Sequence, residues 1–188
     1  MPCLAIHLAV AKKYLEKHKD ENYDDFILGT IAPDIELSNI SELIKGVSND
    51  KRSRHFGTDY SKDSFIEYMK RKVNLNLFFE FNDINTSFLR AYFLHLLCDY
   101  RFFGEYISNS KLDNLSFSEA VTIGYNDYNI ITPKLIKKYN LDIPFQIKDI
   151  ILGKGQGELR ILDEDIVDKF IDDMAKIDLY KEKDNYTN

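Results

Sequence analysis

Apolar residues recur every three or four positions along most of this chain of 188 residues, whereas the alternation typical of β-strands is scarce. This period is that of amphipathic α-helices, which bury their apolar faces against one another. The sequence therefore predicts an all-α fold, with a single domain of six to eight helices over residues 1–180. Residues 181–188 are polar and charged, and we expect them to form a disordered tail.

Capping residues and prolines set the expected ends of these helices. Pro33 ends the second helix, and the polar segment 35–54 is expected to be mostly loop, with one helical turn at 41–46. A break is expected near Pro133. The expected caps are Ser61, Thr86 or Ser87, and Ser116 or Ser118. The predicted helices cover residues 3–18, 24–29, 61–72, 86–107, 116–139, 147–152 and 163–177.

Charge and cysteine content limit the expected partners and compartment. The net charge is −6, so nucleic acid, which is bound through clustered positive charge, is not expected as a ligand. Cys3 and Cys98 form no CxxC pair, and the first residues lack the features of a signal peptide. No window approaches the roughly 18 apolar residues of a transmembrane segment. We therefore expect a cytoplasmic protein with reduced thiols, of unspecified oligomeric state.

Three of the four histidines are expected to point inward. His95 lies one helical turn from Asp99 in the most apolar stretch of the chain, AYFLHLLCDYRFF. His7 shares a helical face with apolar residues, and His55 lies in a structured loop before Phe56. A buried imidazole without a partner costs about 1–3 kcal/mol, so these side chains need compensation. His18, in contrast, sits among charged residues and is expected at the surface.

One shared cation would compensate all of these groups. The i, i+4 spacing places His95 and Asp99 on one helical face, where both can bind the same ion. Asp34 follows Pro33 in a rigid turn that could hold a third ligand. Nitrogen and carboxylate ligands suit Zn²⁺, with Fe²⁺, Mn²⁺ or Ni²⁺ as alternatives. A simple His–Asp hydrogen bond uses the same spacing and remains an alternative.

The ordered set His7, Asp34, His55, His95 and Asp99 resembles the zinc-dependent phospholipase C family over residues 1–103. That family has an all-helical phosphoesterase fold shared with certain single-strand nucleases. The resemblance implies a phospholipase C/nuclease-like helical bundle in which all five residues bind metal. It implies that Asp99 bridges ions and that Asp34 is a ligand or the catalytic general base. The implied substrate is a small phosphoester or a phospholipid-like molecule.

The chain departs from that family after the most apolar helix. Family members bind three zinc ions with an N-terminal amine and a further His, His, Glu group, whereas this chain has no histidine after His95. We therefore expect one or two ions. Glu119 and Asp127 lie where replacement ligands would be, although both fit a surface position. The residues considered as charge clamps for a phosphoester are Arg52, Arg54 and Arg101.

The favoured function is a metal-dependent phosphoester hydrolase, and two alternatives stay open. One is a non-catalytic helical binding module with a structural metal or a hydrogen-bonded histidine core. The other is an HD-type phosphohydrolase, which is disfavoured because the chain contains no His-Asp dipeptide. The catalytic and structural hypotheses differ in one feature of the site, because a catalytic site keeps a coordination position open whereas a structural one is closed.

Overall fold

The structure, a computed structural model, describes residues 3–57, 65–143 and 154–187, and these residues are mostly helical. The longer helices are α1 (Leu4–Lys17), α2 (Tyr23–Ile31), α7 (Ser87–Arg101), α8 (Phe117–Tyr139) and α9 (Glu164–Met174). The shorter helices are α3 (Ile40–Leu43), α4 (Lys51–Arg54), α5 (Phe65–Arg71), α6 (Leu75–Phe81) and α10 (Leu179–Asp184). A π-helical turn, Phe102–Tyr106, and a 3₁₀ turn, Asn109–Lys111, follow α7.

The predicted all-α class is confirmed, and the described residues form one compact domain without a strand. The count of six to eight helices is too low, because α4, α6 and α10 were not predicted. Each of these three short helices begins at an Asx cap that accepts a backbone N–H. The caps are Asp50, Asn74 and Asp178. Within the described ranges, no helix is long and apolar enough to cross a lipid bilayer.

The long helices follow the predicted caps with two corrections. Thr86 caps α7, and Ser116 caps α8 through a reciprocal pair of hydrogen bonds with Glu119. The predicted break near Pro133 is wrong, because α8 continues through it. A proline removes one helical hydrogen bond, and the buried side chains on both sides of Pro133 offset that loss. The helix predicted over 86–107 ends as an α-helix at Arg101.

Two predicted features lie outside the described residues, and one tail prediction is corrected. The Ser61 cap and the helix over 147–152 cannot be compared with the described ranges. The tail expected to be disordered from residue 181 instead continues α10, and its contacts run to α7. Arg101 donates to Glu182 at 2.8 Å, and the Tyr186 ring packs edge-on against Phe93. These contacts supply the order that a charged tail lacks on its own.

The core forms where α1, α2 and α7 pack together. Gly29 allows α2 to approach α7 closely, because a Cβ at this position would lie 2.2 Å from the Phe88 carbonyl oxygen. It would also lie 3.0 Å from the Ala91 Cβ. This close approach sets the distance between the end of α2, where Asp34 follows, and the inward face of α7.

We expect the substitution Gly29→Ala to destabilise the protein by about 1–3 kcal/mol, since the new methyl group forces α2 away from α7. Gly124→Ala is the matched control, because Gly124 also lies within a helix and a Cβ there meets nothing within 4 Å. Chemical denaturation measures both. The control should be neutral or slightly stabilising, and equal effects of the two substitutions would contradict the packing argument.

Candidate metal centre

Five residues predicted from the sequence meet at one buried point, which we call the central cluster: His7, Asp34, His55, His95 and Asp99. The Asp99 carboxylate lies in the middle. Its oxygens are 3.1 Å from His7 Nε2, 3.3 Å from His55 Nε2 and 3.6 Å from His95 Nε2. The Asp34 oxygens are 3.6 Å from His55 Nε2 and 3.9 Å from His95 Nε2.

Four separate elements bring the central cluster together. His7 lies on the inward face of α1, and α7 presents His95 and Asp99 from successive turns. Asp34 occupies the turn after α2, where its backbone N–H donates to the Ile31 carbonyl. His55 ends α4, and its sequence neighbour Phe56 has a φ of +57°. The left-handed conformation at Phe56 turns the chain sharply away after His55.

Backbone carbonyls orient two of the imidazole rings. His95 Nδ1 lies 2.7 Å from the Thr30 carbonyl oxygen, and His55 Nδ1 lies 2.8 Å from that of Lys51. A carbonyl only accepts, so these contacts place a proton on each Nδ1, and in the neutral ring the Nε2 lone pair faces the cluster. Metal-binding histidines are held in the same way in many proteins.

A buried hydrogen-bond network joins the elements around the cluster. The Tyr92 hydroxyl donates to the Arg54 carbonyl at 2.6 Å, which ties α7 to α4. The Arg54 guanidinium donates through Nε to the Pro33 carbonyl at 3.1 Å and also to the Asn49 carbonyl. These bonds fix the end of α4, where His55 lies, against the turn that carries Asp34.

Several polar atoms of the central cluster have no hydrogen-bond partner among the described residues, although they are fully buried. They are the Nε2 atoms of His7, His55 and His95, His7 Nδ1, both carboxylate oxygens of Asp99, and Asp34 Oδ1, which is ion-paired with Lys51. Two overlapping sets hold one ligand atom from each residue within 4.8 Å, and they share His95. One set adds His7 and Asp99, and the other adds Asp34 and His55. The residues thus fit one ion in either set, and two ions only if one of the ions does without His95.

Burial and mutual charge shift the pKa values of the cluster. Burial lowers the pKa of His7 to about 4 and also lowers the pKa of His55. Burial lowers the pKa of His95 as well, but the Asp99 and Asp34 charges outweigh it and raise that pKa overall. Burial raises the pKa values of both carboxyls, and the histidines outweigh it, so both pKa values are held below their usual range.

A cavity of about 400 Å³, which we call the side cavity, opens beside the cluster. Asp34 lines it, and among the five cluster side chains Asp34 is the most exposed, at 12% against 0–1% for the others. Lys51 and Lys72 also line the cavity; Lys51 Nζ lies 2.7 Å from an Asp34 oxygen, and Lys72 is near enough for the charges of Asp34 and Asp99 to act on it. Most of the remaining wall is apolar or aromatic. Access to the cluster from this cavity is therefore through Asp34.

Other predicted site residues have structural roles. Arg101 pairs with Glu182, and Arg54 belongs to the buried network, so neither is positioned as a charge clamp. Glu119 caps α8. Asp127, expected at the surface, is buried and accepts hydrogen bonds from three successive backbone N–H groups, 160–162. Arg52 is exposed on α4.

The sequence interpretation missed the two lysines at the cavity. Lys51 precedes His55 by one helical turn, a spacing that could have placed it near the cluster. Lys72 follows α5, and no sequence pattern points from it to the histidines.

Comparisons of the chain with protein-family models, curated proteins and solved structures find no match. The resemblance to the zinc-dependent phospholipase C family therefore remains a hypothesis. The chemical role of the central cluster has to be argued from its own geometry.

We expect protein purified without chelator or histidine tag to contain one to two equivalents of transition metal, measured by elemental analysis. The substitution His95→Ala should remove most of it, because His95 belongs to both ligand sets. His18→Ala is the control, since His18 stacks on Tyr14 away from the cluster. Full metal content in His95→Ala would contradict this assignment.

The metal-free protein should lose stability as the pH falls from 7 to 5. Because the pKa values of His7 and His55 are lowered, the unfolded chain binds protons there below about 6.5 that the folded protein does not bind. The pKa of His95 is raised, so its stabilising effect is fully present below the pKa of an unfolded histidine and falls at higher pH. His95 therefore offsets part of this loss. The two carboxyls matter only at lower pH, below about 4.

Denaturation of chelator-treated protein at pH 7 and pH 5 measures this difference, and we expect a net loss of about 1–2 kcal/mol at pH 5. The His7→Gln variant should show a smaller pH dependence. Equal or greater stability at pH 5 would contradict the assigned protonation states.

Proposed function

We propose that this protein is a metal-dependent phosphoester hydrolase with one or two ions, of which zinc is the first choice. The observation that carries the proposal is the convergence of buried, unpartnered nitrogen and oxygen atoms beside a cavity lined by two lysines. Three imidazoles and two carboxylates suit Zn²⁺, and also Fe²⁺, Mn²⁺ or Ni²⁺. The resemblance of the ordered ligand set to the zinc-dependent phospholipase C family supports the same reaction class.

A hydrogen-bonded histidine core explains the cluster less well. Such a core would pair each buried nitrogen and oxygen with a partner, because unpaired buried groups cost about 1–3 kcal/mol each. Here both Asp99 oxygens and three Nε2 atoms lack hydrogen-bond partners among the described residues. A cation accounts for the orientation of all these atoms at once, and its positive charge balances the negative charges of the two carboxylates.

An ion bound in the cluster would polarise water near neutral pH and attract the negative charge of a phosphoester. The chain's own residues supply the remaining functions. Asp34 lies between the cluster and the side cavity, where its carboxylate can accept a proton from the attacking water. Lys51 holds Asp34 in place at 2.7 Å, and its ammonium group stands at the cavity end where phosphoryl oxygens would lie.

A structural metal in a non-catalytic binding module is the second candidate, and burial favours it. Four of the five cluster side chains are only 0–1% exposed, which is typical of a closed site. The side cavity and the exposed fraction of Asp34 favour catalysis instead. An HD-type phosphohydrolase remains the less favoured enzymatic alternative.

The substitution Asp34→Asn should lower kcat toward p-nitrophenyl phosphate or its bis-ester at least about 100-fold, since it removes the proposed general base. At least one equivalent of metal should remain, held by the set His7, His95 and Asp99. Asp113→Asn, at an exposed loop position, is the matched control and should retain full activity.

One result would contradict the catalytic proposal, and another would contradict only the role of Asp34. The first is a metal-loaded wild type without turnover of either ester but with a large loss of thermal stability on chelation, which would indicate a structural metal. The second is unchanged kcat in Asp34→Asn, which would exclude Asp34 as the base.

A further inference from the structure

The side cavity combines a cationic end with an aromatic wall. Lys51 and Lys72 stand at the end next to Asp34, and Phe65, Phe103 and Phe117 are among the aromatic residues of the wall. Phe65 packs edge-on against Phe103 with ring centroids 5.3 Å apart, and it lies 5.9 Å from the Phe117 ring. These ring contacts hold the wall in a fixed shape. A ligand that fits this cavity has an anionic group and an apolar group.

The charges at the cationic end indicate how much negative charge the ligand carries. One divalent ion balances the two carboxylates of the central cluster, so the positive charges of Lys51 and Lys72 remain. Lys72 makes no hydrogen bond or ion pair with any residue in the described part of the chain. Burial lowers the pKa of its ammonium group, and the charges of Asp99 and Asp34 oppose that shift. An ammonium group in a mostly apolar cavity needs a counterion. Lys51 is half exposed and already pairs with Asp34, so Lys72 is the charge that lacks a partner. With one divalent ion bound, the ion and the two lysines together outweigh the two carboxylates, and this excess of positive charge matches a dianion better than a monoanion.

Open space for the apolar group lies beside α8. Gly124 lines the side cavity at a buried position of that helix, yet a Cβ there would meet nothing within 4 Å. Tyr125 and Phe117, from the same helix, also line the cavity and remain exposed, which indicates that the cavity opens to solvent on this side. A volume of about 400 Å³ accommodates an aryl or short alkyl group together with a phosphoryl group.

We propose that the side cavity selects phosphomonoesters of apolar alcohols over phosphodiesters, with Lys72 as the residue that determines this specificity. The proposal rests on the hydrolase function proposed above. A monoester carries nearly two negative charges above neutral pH, which the two lysines neutralise. A diester carries one, and its second alcohol would occupy the space between the lysines and the central cluster. The aromatic wall and the space beside Gly124 receive the single alcohol group of a monoester.

Binding of hydrolysis-resistant analogues tests this proposal. Calorimetry on the zinc-loaded protein at pH 8 compares phenylphosphonate, a dianion, with its O-methyl ester, a monoanion. We expect the wild type to bind phenylphosphonate at least tenfold more tightly than the ester. Lys72→Gln should weaken phenylphosphonate binding at least tenfold and ester binding less than threefold. The control Lys45→Gln, on an exposed residue, should change neither.

A second variant tests the apolar half of the proposal. Gly124→Leu should weaken phenylphosphonate binding but leave methylphosphonate binding within threefold of wild type, because only the aryl group needs the space beside Gly124. Metal analysis of every variant verifies that the central cluster is intact.

The outcomes separate this inference from the hydrolase function. Tight binding of the ester would overturn the monoester preference, and so would an equal loss of affinity for both ligands in Lys72→Gln. In either case, turnover of diesters would still support the hydrolase function. Zinc-loaded wild type that binds neither ligand and hydrolyses no ester would overturn both.

Discussion

Two carboxylates and three imidazoles, buried around one point, constrain the whole molecule. Asp99 lies in the middle of the central cluster, and its two oxygens lie 3.1–3.6 Å from the Nε2 atoms of three histidines. Removing charged groups from water costs several kcal/mol unless opposite charge is supplied. The packing of α1, α2 and α7 holds these atoms close enough together that one cation could supply the opposite charge. The close approach at Gly29 and the buried role of Arg54 both serve this requirement.

The sequence predicted the cluster well because its residues carry strong local signals. His95 and Asp99 stand in a helix whose other residues are nearly all apolar, and His7 shares the inward face of another helix. Pro33 marked the turn that carries Asp34. That the five residues meet at one site was predicted from the family resemblance and not from helical periodicity. Periodicity determines which face of a helix a residue lies on, but not which other element packs against that face.

What the sequence interpretation missed depends on short-range capping or on tertiary contact. The caps Asp50, Asn74 and Asp178 begin helices of four to seven residues, which are too short to show an apolar period. Lys72 reaches the cavity only because α5 packs near α7 and α8, and nothing in its neighbourhood along the chain indicates this position. The order of residues up to Thr187 likewise comes from contacts with α7, which composition alone cannot reveal.

The four-residue helix α4 has a consequence for the kinetics of ion exchange. His7, His95 and Asp99 belong to helices of 14 and 15 residues, whereas His55 ends a single helical turn. Short elements open locally at lower free energy than long helices in a core. Opening of α4 would remove one ligand and leave the others in place, once the bonds of Arg54 to Pro33 and Tyr92 were broken. The residence time of a bound ion would then depend on these two hydrogen bonds more than on global unfolding.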